Sequence, residues 1–209
     1  MKKIICLGLI SILTVVTILS INRLKLQAFQ TECCHWSGII SNPYIDMTEE
    51  AWGQVGAVTY PTAAQWMRTH NGISHPLDET QKRYLRSYFG GLVDHVVVIY
   101  NAKLMDDWLY ADFKIDIGLV DSIAQTYCER IYLEESYKPS DFGQLILLSH
   151  ELVHSKQCKR FGGASNFGYY YFREFKRVGQ IYENNTLEKE ANEYERQFAG
   201  WLSNQIASN

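Results

Sequence analysis

The sequence has no excess of positive charge: 20 lysines and arginines stand against 23 aspartates and glutamates, a formal net charge of −3 over 209 residues. Binding along a phosphate backbone needs a cationic face, so nucleic acid is excluded as a partner. Internal repeats and low-complexity tracts are also absent, and nothing demands a second domain. With 14 tyrosines and 5 tryptophans the chain is not of the disordered kind. Its length suits one domain that buries its own core.

Long apolar runs are absent except for one. After Lys2 and Lys3, residues 4–21 read IICLGLISILTVVTILSI without a charge, a length between a signal-peptide core and a spanning helix. Arg23 and Lys25 follow directly, and Ala28 with Leu26 before it makes a weak cleavage exit. Residues 1–28 therefore read as a signal peptide or an N-terminal membrane anchor, with a lean towards the uncleaved anchor. The membrane is a partner through this segment if it stays attached. The rest of the chain is expected to be exported, periplasmic or extracellular. Its oligomeric state is left open.

Cys6 lies in the apolar run, and Cys33, Cys34, Cys128 and Cys158 follow it. An even number in an exported chain suits two disulfides. Adjacent Cys33 and Cys34 would bond different partners, one to Cys128 and one to Cys158; four unpaired thiols are the alternative.

Residues 29–75 show Gly, Pro and Asn punctuation without a sustained period, and read as an irregular or partly helical lead-in. Order becomes legible at residue 76, where the segment 76–209 is expected to form the main domain. Asp78 and Gln81 make a capping box, Tyr84, Leu85, Tyr88 and Phe89 a buried stripe, and Gly90-Gly91 a stop. HVVVIY (95–100) reads as a strand covered on both faces. ERIYLEES (129–136) alternates like a half-exposed strand at a sheet edge, and residues 101–128 are expected to hold a short helix and another strand. Three helices follow: Pro139-Ser140 to about Arg160, 166–178, and one carrying Leu187, Ala191, Tyr194, Phe198 and Trp201 at helical spacing. A small mixed sheet followed by helices is an α+β fold.

The chemistry concentrates in LLSHELVHSKQ (147–157). On a helix, residues four apart share a face, so His150 and His154 can aim at one ion. Glu151, about 100° around from His150, stands beside the ion as a general base and not on it. Zinc lowers the pKa of water from about 15.7 to near 7, where a carboxylate can take its proton. Leu145, Leu148, Leu152 and Val153 would equally make an ordinary core helix. A catalytic zinc wants a third protein ligand with the fourth position open. Cys158 stands about 12 Å along the helix from His150, too far to share an ion. His35, His70, His75 and His95 are isolated and read as structural or exposed. Glu188, at the start of the last helix, can look inward, although with Asn185 as N-cap it could instead close a capping box. Asn192 is then placed to hydrogen-bond the far nitrogen of a ligand histidine, and Tyr182 is a candidate oxyanion donor. Glu190 and Glu193 read as solvated.

HELVH followed by LEKEAN resembles the H-E-x-x-H and E-x-x-A-[DN] pair of glutamate-ligand zincin metallopeptidases. More specifically, residues 76–192 resemble a bacterial metallopeptidase-like family, catalogued as a domain of unknown function, that occurs in secreted toxins and contractile-injection-system cargo. The similarity runs through PLDETQKRYLRSYFGGLVDHVVV, AQTYCERIYL, LILLSHELVHSKQ and YENNTLEKEAN, in that order. It implies a zincin-like fold, Zn2+ held by His150, His154 and Glu188, Glu151 as base, and hydrolysis of a peptide or protein substrate. In zincins an edge strand beside the cleft pairs with the substrate, a role for which ERIYLEES is the candidate. Asn192 departs from the Asp common at that position. The rival expectation is an exported, non-catalytic binding module with a structural zinc site.

Overall fold

Among the described residues the first element is a long helix, in the segment expected to be an irregular or partly helical lead-in. The computed structural model describes residues 48–208 except 106–107, 111–112 and 116–121, with the side chains of 108–110 and 113–115 left aside. Residues 1–47, which hold the apolar run, Cys6, Cys33, Cys34 and His35, lie outside the described residues. α1 (Glu49–His70) starts at Thr48, whose hydroxyl accepts from the Ala51 amide at 3.2 Å, and carries Pro61 inside it. A proline four residues on removes the amide that would bond the Ala57 carbonyl. Ser165 supplies the missing donor, its hydroxyl 2.8 Å from Ala57 O. The described residues form one compact unit, so α1 belongs to the body that was expected to begin at residue 76.

The remaining order is β1 (His75–Pro76), α2 (Glu79–Phe89), a 3-10 turn (Gly90–Asp94), β2 (Val97–Ile99), β3 (Trp108–Tyr110), β4 (Phe113–Ile115), β5 (Ala124–Tyr127), β6 (Arg130–Leu133), α3 (Phe142–Phe161), α4 (Ala164–Arg177), a 3-10 turn (Tyr182–Asn184) and α5 (Thr186–Ala207). This is the expected α+β class. The Asp78–Gln81 capping box is present in both directions. Where a short helix was expected within 101–128, the described residues hold instead the β3–β4 antiparallel hairpin and β5.

The four-stranded sheet runs β1-β2-β6-β5, with β2 and β6 parallel and the other pairs antiparallel. β6 is thus an interior strand, a correction to its reading as a half-exposed edge; Ile131, Tyr132 and Leu133 are all fully buried. Each face of the sheet is covered by a different set of helices. Tyr132 and Ile99 join Trp52 and Tyr60 of α1 and Phe172 of α4, while Ile131, Leu133 and Val98 join Leu85 of α2, Leu148 of α3 and Phe198 of α5. The strand beside α3 at the sheet edge is β5.

α1 crosses α4 at two glycines. A Cβ on Gly56 would meet the Gly168 carbonyl oxygen, and one on Gly168 would meet that of Gly56, so only glycine lets the backbones come this close. α3 stops at Gly162, whose φ of 84° suits the left-handed cap. A disulfide joins Cys128, in the β5–β6 turn, to Cys158 on α3. Those two cysteines therefore pair with each other and not with Cys33 and Cys34.

Candidate metal centre

α3 is buried on nearly every side, from Gln144 to Cys158. A polar side chain there must find a partner inside the protein. Ser149 donates to Ile146 O at 2.6 Å and Gln144 to Ser136 O at 3.0 Å. Those bonds are local. The bonds of His150, Glu151 and His154 reach other elements or one another, apart from one between His154 and Gln157 on the same helix.

His150 Nδ1 lies 2.9 Å from Glu195 Oε2, and His154 Nδ1 lies 3.0 Å from Gln157 Oε1. A carboxylate only accepts, so Nδ1 of His150 carries the proton. Gln157 spends its amide group on Leu187 O (2.9 Å) and Glu190 Oε2 (3.1 Å), which turns its carbonyl to His154 and sets the same tautomer there. Both Nε2 lone pairs then face each other at 3.2 Å. Glu188 Oε2 completes the triangle, 3.5 Å from His150 Nε2 and 3.4 Å from His154 Nε2.

Three acceptors this close repel unless a cation lies among them. For tetrahedral coordination with bonds of about 2.0–2.1 Å, ligand atoms stand about 3.3–3.4 Å apart, and the three separations of 3.2, 3.4 and 3.5 Å match such a face. Charge-assisted hydrogen bonds are shorter, about 2.7–2.9 Å. The buried His150–His154–Glu188 group can therefore hold a metal ion. Among the described residues no fourth His, Cys, Asp or Glu joins it.

Without a metal, a proton takes the place of the cation. Burial works against charge on His150, but the carboxylates of Glu188 and Glu195 outweigh it and bring its pKa up to about 10. His154 is also raised, against its burial, chiefly by Glu188. The imidazoles and Tyr182 in turn hold the buried Glu188 carboxyl well below the usual range.

Glu188 does not close a capping box. Asn185 caps α5 by accepting from Leu187 N at 3.0 Å, and the Glu188 carboxylate turns inward, 2 % exposed. Tyr171 donates to its Oε1 at 2.7 Å and Tyr182 to its Oε2 at 2.6 Å. These two phenols fix which oxygen faces the histidines. Glu151 points beside the triangle, and Thr126 of β5 donates to its Oε2 at 2.6 Å. A cavity of about 70 Å³ adjoins the group, lined among others by Tyr60, Thr126, Glu151, Phe167 and Tyr182.

The structure thus brings His150, Glu151, His154, Glu188 and Tyr182 together. Asn192 is half-buried on α5, and the Nδ1 positions it was expected to serve are taken by Glu195 and Gln157. Glu190, read as solvated, bridges Gln157 and Arg160, the latter through two bonds of 2.8 and 2.9 Å. His70, His75 and His95 are exposed and away from the group. Sequence reasoning missed Thr126, Gln157, Tyr171 and Glu195; only Glu195 carried a signal, its seven-residue spacing from Glu188. Among the described residues no helix is long and apolar enough to cross a membrane. Comparison with family models, curated proteins and solved structures returned no match.

Proposed function

We propose that this chain is an exported zinc metallopeptidase, in which His150, His154 and Glu188 hold Zn2+ and Glu151 acts as general base on a peptide or protein substrate. The observation that carries the reading is the Nε2–Nε2–Oε2 triangle, with separations at the tetrahedral edge length and a carboxylate alongside. Two imidazoles and one carboxylate are a donor set of catalytic zinc, which leaves a position for solvent or substrate. When bound, zinc would supply a Lewis acid that polarises the scissile carbonyl and acidifies water.

The protein's own groups then divide the work. Thr126 holds Oε2 of Glu151, while Oε1 accepts no hydrogen bond among the described residues and is free to take a proton. Glu151 removes that proton as water oxygen bonds to the carbonyl carbon, and returns it to the amide nitrogen as the C–N bond breaks. Tyr182 lines the cavity. Burial and the neighbouring Glu188 push its hydroxyl far above its ordinary pKa, so it stays protonated; its one proton rests on Glu188 Oε2, and it reaches a developing oxyanion only by letting go of that carboxylate. Tyr171 and Tyr182 keep Glu188 presenting a single oxygen to the ion.

One observation favours a second reading, a structural metal in a non-catalytic exported module. The three ligands are only 2–9 % exposed, as suits an ion enclosed by the fold. The two readings separate on Glu151→Gln. Under the peptidase reading the variant keeps its zinc and loses cleavage of a broad peptide library; equal cleavage by parent and variant, or none by either, rejects it.

A further inference from the structure

One helix grips His150 at both ring nitrogens. Glu188 Oε2 stands 3.5 Å from Nε2, and Glu195 Oε2 stands 2.9 Å from Nδ1. Seven positions on an α-helix are two turns less about 20°, so the two carboxylates project from nearly the same line of α5. Asn192, four positions after Glu188, is turned by about 40° the other way and bonds neither histidine. We infer that Glu195 is the positioning residue of His150, fixing its Nδ1–H tautomer and sharpening Nε2 as a metal ligand; the inference rests on the metal-site reading above.

The chemistry favours a charged partner at this place. A carboxylate can only accept, so it enforces one tautomer, and its negative charge makes the opposite nitrogen a stronger electron donor. His154 receives a neutral amide instead, from Gln157, whose own orientation is fixed by Leu187 O and Glu190. The two ligand histidines are therefore held unequally. His150 depends on one partly exposed side chain, Glu195 being 37 % exposed, whereas the support of His154 is buried. A partly exposed residue can be replaced without opening the core, which makes the role testable.

The test is a chelator-competition titration of the full-length chain with Zn2+, together with the visible spectrum of the Co2+-loaded protein. Glu195→Gln keeps an acceptor and removes the charge; Glu195→Ala removes both. Loss of such a partner lowers metal affinity about 10–100-fold, and the expected order is parent, then Glu195→Gln, then Glu195→Ala, with a shifted Co2+ band in both variants and partial recovery in Glu195→Asp. Glu193→Gln, which removes an exposed charge from the same helix, controls for charge alone and should stay within about twofold of the parent. If Glu195→Gln and Glu195→Ala bind zinc as tightly as the parent while His150→Ala does not, the metal site stands and the role of Glu195 is refuted. If Asn192→Ala weakens binding and the Glu195 variants do not, the role belongs to Asn192. A parent that binds no zinc overturns the metal reading and this inference with it.

Discussion

Glu188→Gln removes one of three ligand atoms and leaves the side-chain shape in place. Four-ligand zinc sites bind with about 10–16 kcal/mol, or roughly 3 kcal/mol per ligand, so losing Glu188 should weaken zinc binding on the order of 100-fold. At free zinc buffered to about 100 times the parent dissociation constant, the parent gains about 2.7 kcal/mol of stability. The variant, then near its own dissociation constant, gains only about 0.4 kcal/mol. For a folded unit of this size each kcal/mol moves the melting temperature by about 2–4 °C. The zinc-induced rise should therefore be about 5–11 °C in the parent and about 1–2 °C in the variant. Circular-dichroism melts in zinc buffer and in EDTA measure that increment separately from any change that Tyr171 and Tyr182 suffer in the metal-free protein. An equal increment in both proteins would refute Glu188 as a ligand.

Two further outcomes test the frame around the site. Asp78 accepts from Thr80 N, Gln81 N and the Tyr137 hydroxyl at 2.7, 2.9 and 2.6 Å; burial would raise its pKa, but these hydrogen bonds, Tyr137 first, bring it below 3.8. Its contribution is thus present above pH 3.8 and fades as the pH falls below that value, so Asp78→Ala should cost about 1 kcal/mol at pH 7 and less at pH 2 in urea titrations. A cost independent of pH would contradict the assignment. Replacing Cys128 and Cys158 together by serine opens a loop spanning 30 residues, which should cost about 3–4 kcal/mol and lower the melting temperature on the order of 10 °C; melting unchanged on substitution would deny the pairing.

Local chemistry made much of this legible. Asp78 with Gln81, the Gly90 stop and the four-three spacing on α5 each carry their physics within a few residues. So do His150 and His154, whose four-residue spacing is itself the geometry. α1 is legible only as part of an irregular or partly helical lead-in, because its buried face is built partly of Gly53, Gly56, Thr59 and Ala63, which pack closely but do not register as an apolar stripe, and because Pro61 reads as a break until Ser165 is seen to satisfy Ala57 O. β6 was misjudged because alternation reports two different faces, and here both are covered. The partners of the ligands depend on how β5, α3, α4 and α5 meet. No window of sequence contains Thr126 with Glu151, Tyr171 with Glu188, or Cys128 with Cys158.

The most direct measurement is X-ray absorption at the zinc edge on the purified chain, joined to anomalous scattering from a crystal. Zinc should lie about 2.0–2.1 Å from His150 Nε2, His154 Nε2 and Glu188 Oε2, with one further light-atom ligand from solvent and Glu151 alongside. A fourth protein side chain on the ion, or zinc bound anywhere but this triangle, would contradict a catalytic centre here.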